Sequence, residues 1–171
     1  TKITNLNLQN NMLGPEGGAV LAEGLKGNST LQVLNVRYNT ITGDTADRLA
    51  TVVLEHAIMT DFCGIPLTSL RENSITELNL EYAGVGVPGA IVISKLLPSA
   101  AALTSLNLDN NALCGLYYDD DDDEDDLKGT YTAEGITALC DGLKGSAITS
   151  LSLGGNEIGA EGASALAAIL N

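Results

Sequence analysis

One eleven-residue pattern recurs five times in this chain and fixes most of what it can fold into. The copies are ITNLNLQNNML from Ile3, LQVLNVRYNTI from Leu31, ITELNLEYAGV from Ile75, LTSLNLDNNAL from Leu103 and ITSLSLGGNEI from Ile148. Each reads L-x-x-L-x-L-x-x-N-x-L, with Ile or Val in place of some Leu. Only Ala83 departs from the Asn position, which Asn11, Asn39, Asn111 and Asn156 fill. A degenerate sixth copy, MTDFCGIPL, begins at Met59. The units therefore start at 3, 31, 59, 75, 103 and 148, spaced 28, 28, 16, 28 and 45 residues apart. A fixed period of this size marks a repeat architecture, in which each unit buries its apolar face against its neighbours.

The pattern alternates like a strand, and a second half follows it. In GPEGGAVLAEGLKGN, residues Gly17, Val20, Leu21, Gly24 and Leu25 fall at helical spacing on one face. Glu16, Glu134 and Glu161 sit in the first turns of such segments, where the helix dipole favours negative charge. Each unit thus reads as strand, loop, helix, loop. The expected class is α/β: a solenoid, curved like a horseshoe, with about six parallel strands on the concave face and helices on the convex face. One domain over residues 1–171 is expected, long enough to bury a continuous core. With 4% aromatic residues and no Trp, that core is built from Leu, Ile, Val and Ala. The repeated Asn is expected to bond backbone groups of adjacent turns, forming a ladder.

Two units break the period. The 16-residue unit, Met59 to Ser74, has room for a strand but no full helix. Pro66 lacks an N–H and restricts Ile65, so an extended or short 3₁₀ connection is predicted from Leu67 to Asn73. The 45-residue unit carries 17 extra residues, in an insertion within 114–131 between strand and helix. Loops that long in compact domains are usually functional or disordered.

The period and the helix half, L-G-x-x-G-x-x-x-L-x-x-x-L over Leu13 to Leu25 and in part over Thr132 to Leu143, resemble leucine-rich repeats of the ribonuclease-inhibitor type. The stretch FCGIPLTSLRENSITELNL also looks like repeat proteins of unicellular algae and other protists. The resemblance covers almost the whole chain and implies the fold. It does not fix a function, because the family includes enzyme inhibitors, GTPase activators and sensor domains.

The insertion holds eight successive acids: Asp119, Asp120, Asp121, Asp122, Asp123, Glu124, Asp125 and Asp126. They supply eight of the 22 carboxylates of a chain whose net charge is −14. Such a balance argues against nucleic acid or an anionic membrane as partner and suits a cation or a basic protein. The run reads as a solvated loop, as a divalent-cation site for Ca²⁺, or as a steering charge for a basic partner. The EF-hand pattern fails: from Asp119 as first position, Glu124 stands where Gly is required and Thr130 where Glu is.

Strand alternation assigns the concave face. Its row reads Asn7, Asn35, Cys63, Asn79, Asn107, Ser152, and the residues expected to bind a partner are Asn35, Arg37, Tyr38, Asn79, Glu81, Tyr82, Asn107 and Asp109. Tyr and Arg are enriched among interface hot spots. Enzyme signatures are poor. The single His, His56, is expected on a helix, and no nucleophile set, phosphate loop or zinc motif accompanies it. Cys63, Cys114 and Cys140 form no CxxC pair and read as free thiols of a reducing, intracellular compartment. The expected function is a protein-binding scaffold using the concave face and the acidic loop. Alternatives are a Ca²⁺-binding module and, through the resemblance, a GTPase activator. The chain opens in mid-pattern without Met, so it reads as a fragment or processed form. Its uncapped ends are expected to meet further repeats or other copies.

Overall fold

The computed structural model describes residues 2–118 and 126–170. In chain order the elements are β1 (Asn5–Asn7), α1 (Gly14–Leu25), β2 (Val33–Asn35), α2 (Asp44–Glu55), β3 (Asp61–Phe62), β4 (Ile65–Pro66), α3 (Leu67–Arg71), β5 (Glu77–Asn79), α4 (Gly86–Leu96), β6 (Ser105–Asn107), β7 (Leu116–Tyr118), β8 (Leu127–Gly129), α5 (Glu134–Leu143), β9 (Ser150–Ser152) and α6 (Gly159–Ile169). A 3₁₀ turn, Leu97–Ser99, extends α4.

The architecture is α/β. Strands of successive units pair in parallel at the same pattern position: Leu6 with Leu34, Leu34 with Phe62, Leu78 with Leu106, Leu106 with Leu151. Period-two alternation turns these apolar side chains inward. Leu34, Phe62 and Leu106 are wholly or almost wholly buried. Helices pack unit to unit, α1 on α2, α2 on α4, α4 on α5 and α5 on α6. The apolar core between the layers contains the chain's one Phe and is otherwise mainly aliphatic.

The strands do not form one sheet of about six. The first sheet has the order β1-β2-β3-β4 and the second β5-β6-β9. Among the described residues no ladder joins them. The cause lies in the short unit. Cys63 and Gly64 adopt φ of 52° and 80°, a two-residue left-handed turn that returns the chain antiparallel on β3. β4 thereby takes the edge that β5 would need, and Pro66 has no N–H to offer a further strand. The segment after Pro66 is the α-helical α3, not the extended or 3₁₀ connection predicted from its length.

The repeated Asn does form the predicted ladder. Asn39 Oδ1 accepts from the backbone N–H groups of Asn11 and Leu13 at 2.9 and 3.1 Å, and its Nδ2 donates to the carbonyls of Leu8, Val36 and Arg37. Asn111 serves Leu80, Val85 and Asp109, and Asn156 serves Leu108, Asn111, Leu113, Leu153 and Gly154. Asn39, Asn111 and Asn156 all reach back to the preceding unit. Ala83 follows the hairpin unit, whose chain leaves in a different direction, and so has no such turn to serve.

Two helix readings need correction. In α1 the buried residues are Gly18, Ala22 and Leu25, while Val20 is 74% exposed. The small side chains face α2, and the apolar face predicted through Val20 is rotated from the true one. His56 lies one residue beyond α2, at its C-cap, in extended geometry.

Candidate functional site

Every regular unit leaves its strand through alternating left-handed residues. They are Asn10 and Met12, Tyr38 and Thr40, Tyr82 and Gly84, Asn110 and Ala112, Gly155 and Glu157. Asn and Gly accept this geometry readily, whereas a bulky side chain there costs about 1 kcal/mol or more. Tyr38 and Tyr82, with φ of 55° and 54°, occupy the same repeat position in two units under that cost.

The insertion contributes a β-hairpin. β7 and β8 pair antiparallel, Leu116 with Gly129, Tyr117 with Lys128 and Tyr118 with Leu127. Its base is closed by the Thr132 N–H donating to the Cys114 carbonyl at 2.9 Å. The Tyr117 ring lies 5.3 Å from the Tyr38 ring, tilted by 49°. Gly84 makes room for this contact: a Cβ there would stand 2.7 Å from Tyr38 Cζ, and its φ of +62° suits Gly. The hairpin of the fifth unit thus reaches over the fourth to the second.

Between hairpin and strand exits lies a groove of about 140 Å³, walled by Tyr38, Tyr82, Leu116, Tyr117, Tyr118 and Glu157. Four of the chain's five tyrosines meet there. Tyr82 is 71% and Tyr118 55% exposed. The fifth, Tyr131, has a structural role, its hydroxyl donating to the Ile158 carbonyl at 2.7 Å.

Of the sequence-predicted binding residues, Tyr38 and Tyr82 line this groove. The others do not. Arg37 donates Nε and Nη2 to the Cys63 carbonyl at 3.2 and 2.7 Å, which ties its charge to the hairpin turn of the short unit. Asp109 Oδ1 accepts from Ser152 Oγ at 2.7 Å and the Gly154 N–H at 2.6 Å. Asn35, Asn79 and Asn107 each accept through Oδ1 from the backbone N–H two residues on, in Arg37, Glu81 and Asp109. Glu81 is exposed. Cys63, placed on the open row by alternation, is buried, because the chain turns at that residue.

Asp126 is exposed, and Asp119, Asp120, Asp121, Asp122, Asp123, Glu124 and Asp125 lie outside the described residues. Among the described residues no group of three or more His, Cys, Asp or Glu is arranged to hold a metal ion. Sequence reasoning missed Tyr117 and Tyr118. No local pattern marks them, because β7 finds its partner strand only across the acidic run.

The thiols are set by burial. It pushes Cys63 up to about 12 and Cys114 up to about 11, and also raises Cys140. At neutral pH all three are therefore protonated and poor nucleophiles. His56 is buried with neither ring nitrogen hydrogen-bonded among the described residues.

The leucine-rich repeat family pattern matches residues 1–22, 27–50 and 147–167. At these three places the chain carries leucine-rich repeats. Such repeats imply a repeat-protein fold and are commonly protein-interaction modules, typically without enzymatic activity. The matched repeats take in the first, second and last units. The short unit and the hairpin-bearing unit lie between the matched segments, so the groove combines two matched repeats, through Tyr38 and Glu157, with features outside the matches. No curated protein matches the chain. Among the described residues no helix is long and apolar enough to cross a membrane.

Proposed function

We propose that this protein is a scaffold that binds a partner protein and performs no reaction of its own. Its repeats are of the ribonuclease-inhibitor type, stacked as a solenoid, and the partner lies against the strand side at the rim where the hairpin emerges. The observation that carries the reading is the tyrosine groove. Aromatic side chains from two repeats and an insertion converge there, partly exposed, with two of them held in left-handed geometry. Tyrosine is an interface hot-spot residue because it offers a large amphipathic surface with little rotamer entropy to lose. The net charge of −14 and the eight acids joining β7 to β8 favour a basic partner surface, through steering and through penalties on acidic competitors.

Free, buried Cys63, Cys114 and Cys140 support a reducing compartment. A Ca²⁺ role for Asp119 to Asp126 has no specific observation in its favour. The test of the scaffold is quantitative affinity capture from the native source with the wild-type chain and a Tyr82→Ala/Tyr118→Ala variant. A specific protein partner, depleted at least tenfold on the variant, is expected. A partner set indifferent to both substitutions would remove the groove from the interface.

A further inference from the structure

We infer that the tyrosine groove takes the guanidinium group of a single arginine side chain, presented by an extended basic segment of the partner. This rests on the scaffold reading and names what the scaffold recognises.

Size sets the first limit. Sites for drug-sized ligands enclose about 300–1,000 Å³. The groove, at about 140 Å³, suits one side chain. Chemistry sets the second. Tyr38, Tyr82, Tyr117 and Tyr118 line the groove and bring π-density to it, and the acidic residue Glu157 is among its lining residues. Aromatic faces attract cations through their quadrupole, and arginine does so most often because its flat, weakly hydrated guanidinium also stacks. None of the described residues lining the groove is cationic. The chain's own nearby bases are placed elsewhere. Arg37 is committed to the Cys63 carbonyl, and Lys128 stands on β8 opposite Tyr117 and outside the lining.

Charge sets the third. Asp119 follows Tyr118 directly in the sequence. Seven further acids follow it in the chain. As a run of like charge they add a long-range negative field, whatever lines the groove itself. The field draws a basic segment in, and the rings with Glu157 then discriminate a planar cation from a neutral side chain of the same shape. A neutral aliphatic side chain would gain contact area only.

The experiment uses the whole chain and two nine-residue Gly-Ser peptides, one with a central Arg and the other with citrulline, its neutral isostere. Ring ¹³C–¹H NMR signals of Tyr82 and Tyr118 are followed during titration. Saturable shifts with the Arg peptide, and at least tenfold weaker binding of the citrulline peptide, are expected. Tyr82→Phe/Tyr118→Phe should keep the preference, and Tyr82→Leu/Tyr118→Leu should abolish it. Both positions are exposed, and an unchanged melting temperature checks that each variant is folded. Replacing Asp119 to Asp126 by Asn or Gln should weaken binding and flatten its salt dependence while leaving Arg preferred over citrulline. Equal binding of both peptides, no saturable shift at millimolar peptide, or a preference that survives in the Leu variant overturns the assignment. If the peptides bind equally while partner capture still depends on Tyr82 and Tyr118, the cation assignment fails and the scaffold stands. Arg preference with no protein partner captured keeps the guanidinium site but overturns its presentation by a partner, and with it the scaffold.

Discussion

The centroid of the Tyr117 ring rests 5.3 Å from that of Tyr38, although the two stand 79 positions apart in the chain (117 − 38). This contact joins the inserted hairpin to the second repeat. A tilted aromatic pair contributes about 0.5–1.5 kcal/mol beyond the area it buries. A double-mutant cycle of Tyr38→Leu and Tyr117→Leu by urea unfolding should return a coupling energy of that size. Additive single effects would show that the hairpin is held by its own base alone. Gly84→Ala should give a related loss, since the new methyl meets the Tyr38 ring at a φ that disfavours Ala.

The Asn ladder predicts a graded series. Asn39 is buried and serves five backbone groups, whereas Asn11 is exposed and is shown donating only to the Gln9 carbonyl. Stranding buried backbone groups is costly, so Asn39→Ala should lower stability by about 2–4 kcal/mol. Asn11→Ala should cost no more than about 0.5 kcal/mol, as at an ordinary surface site. Denaturant titrations of both variants make the comparison. Similar losses at the two positions would contradict the ladder as a source of stability.

Alkaline pH should expose the buried thiols. In the unfolded chain Cys63 titrates near 9.0, and in the fold burial holds it protonated up to about 12. Between these values the unfolded state binds fewer protons, so stability falls as pH rises from about 9 to 12 and is unaffected below. The slope for one such thiol approaches about 1.4 kcal/mol per pH unit. Unfolding measured at pH 8 and pH 10.5 should show this decline, and Cys63→Ala should shrink it. Iodoacetamide at pH 8 should label Cys63 only after urea is added.

His56 offers a stabilising change. Its ring is buried and both nitrogens lack a described partner. An unsatisfied buried polar group costs about 1–3 kcal/mol, so His56→Leu should raise stability by about 1 kcal/mol or more and the melting temperature by a few degrees. A drop in melting temperature would mean that the imidazole does bond within the fold.

Much of the fold is written locally. Leu34 and Leu106 are inward because strand alternation is a property of the backbone, and Asn39 recurs because each turn presents the same orphaned groups. The hairpin at Cys63–Gly64 is not legible in that way. Its turn lacks the Asn-Gly or Asp-Gly signature, and the short spacing shows only that no full-length helix fits. The contact of Arg37 is illegible for the same reason, since the carbonyl it serves is created by that turn. Tyr38 and Tyr82 could be found from their shared offset in the repeat. Tyr117 and Tyr118 could not, because their strand finds its partner only across the acidic run, and their neighbour Tyr38 only through tertiary packing.

The interrupted strand layer has a mechanical consequence. α4 packs on α2 across the gap, and a Cβ at Gly89 would stand 3.3 Å from Ile65 Cδ1, yet the two ladders share no strand-to-strand bond among the described residues. Force applied along the array would meet rigid blocks on either side and a greased joint between them. Amide hydrogens of β1 to β3 and of β5, β6 and β9 would then exchange with solvent as two separate clocks.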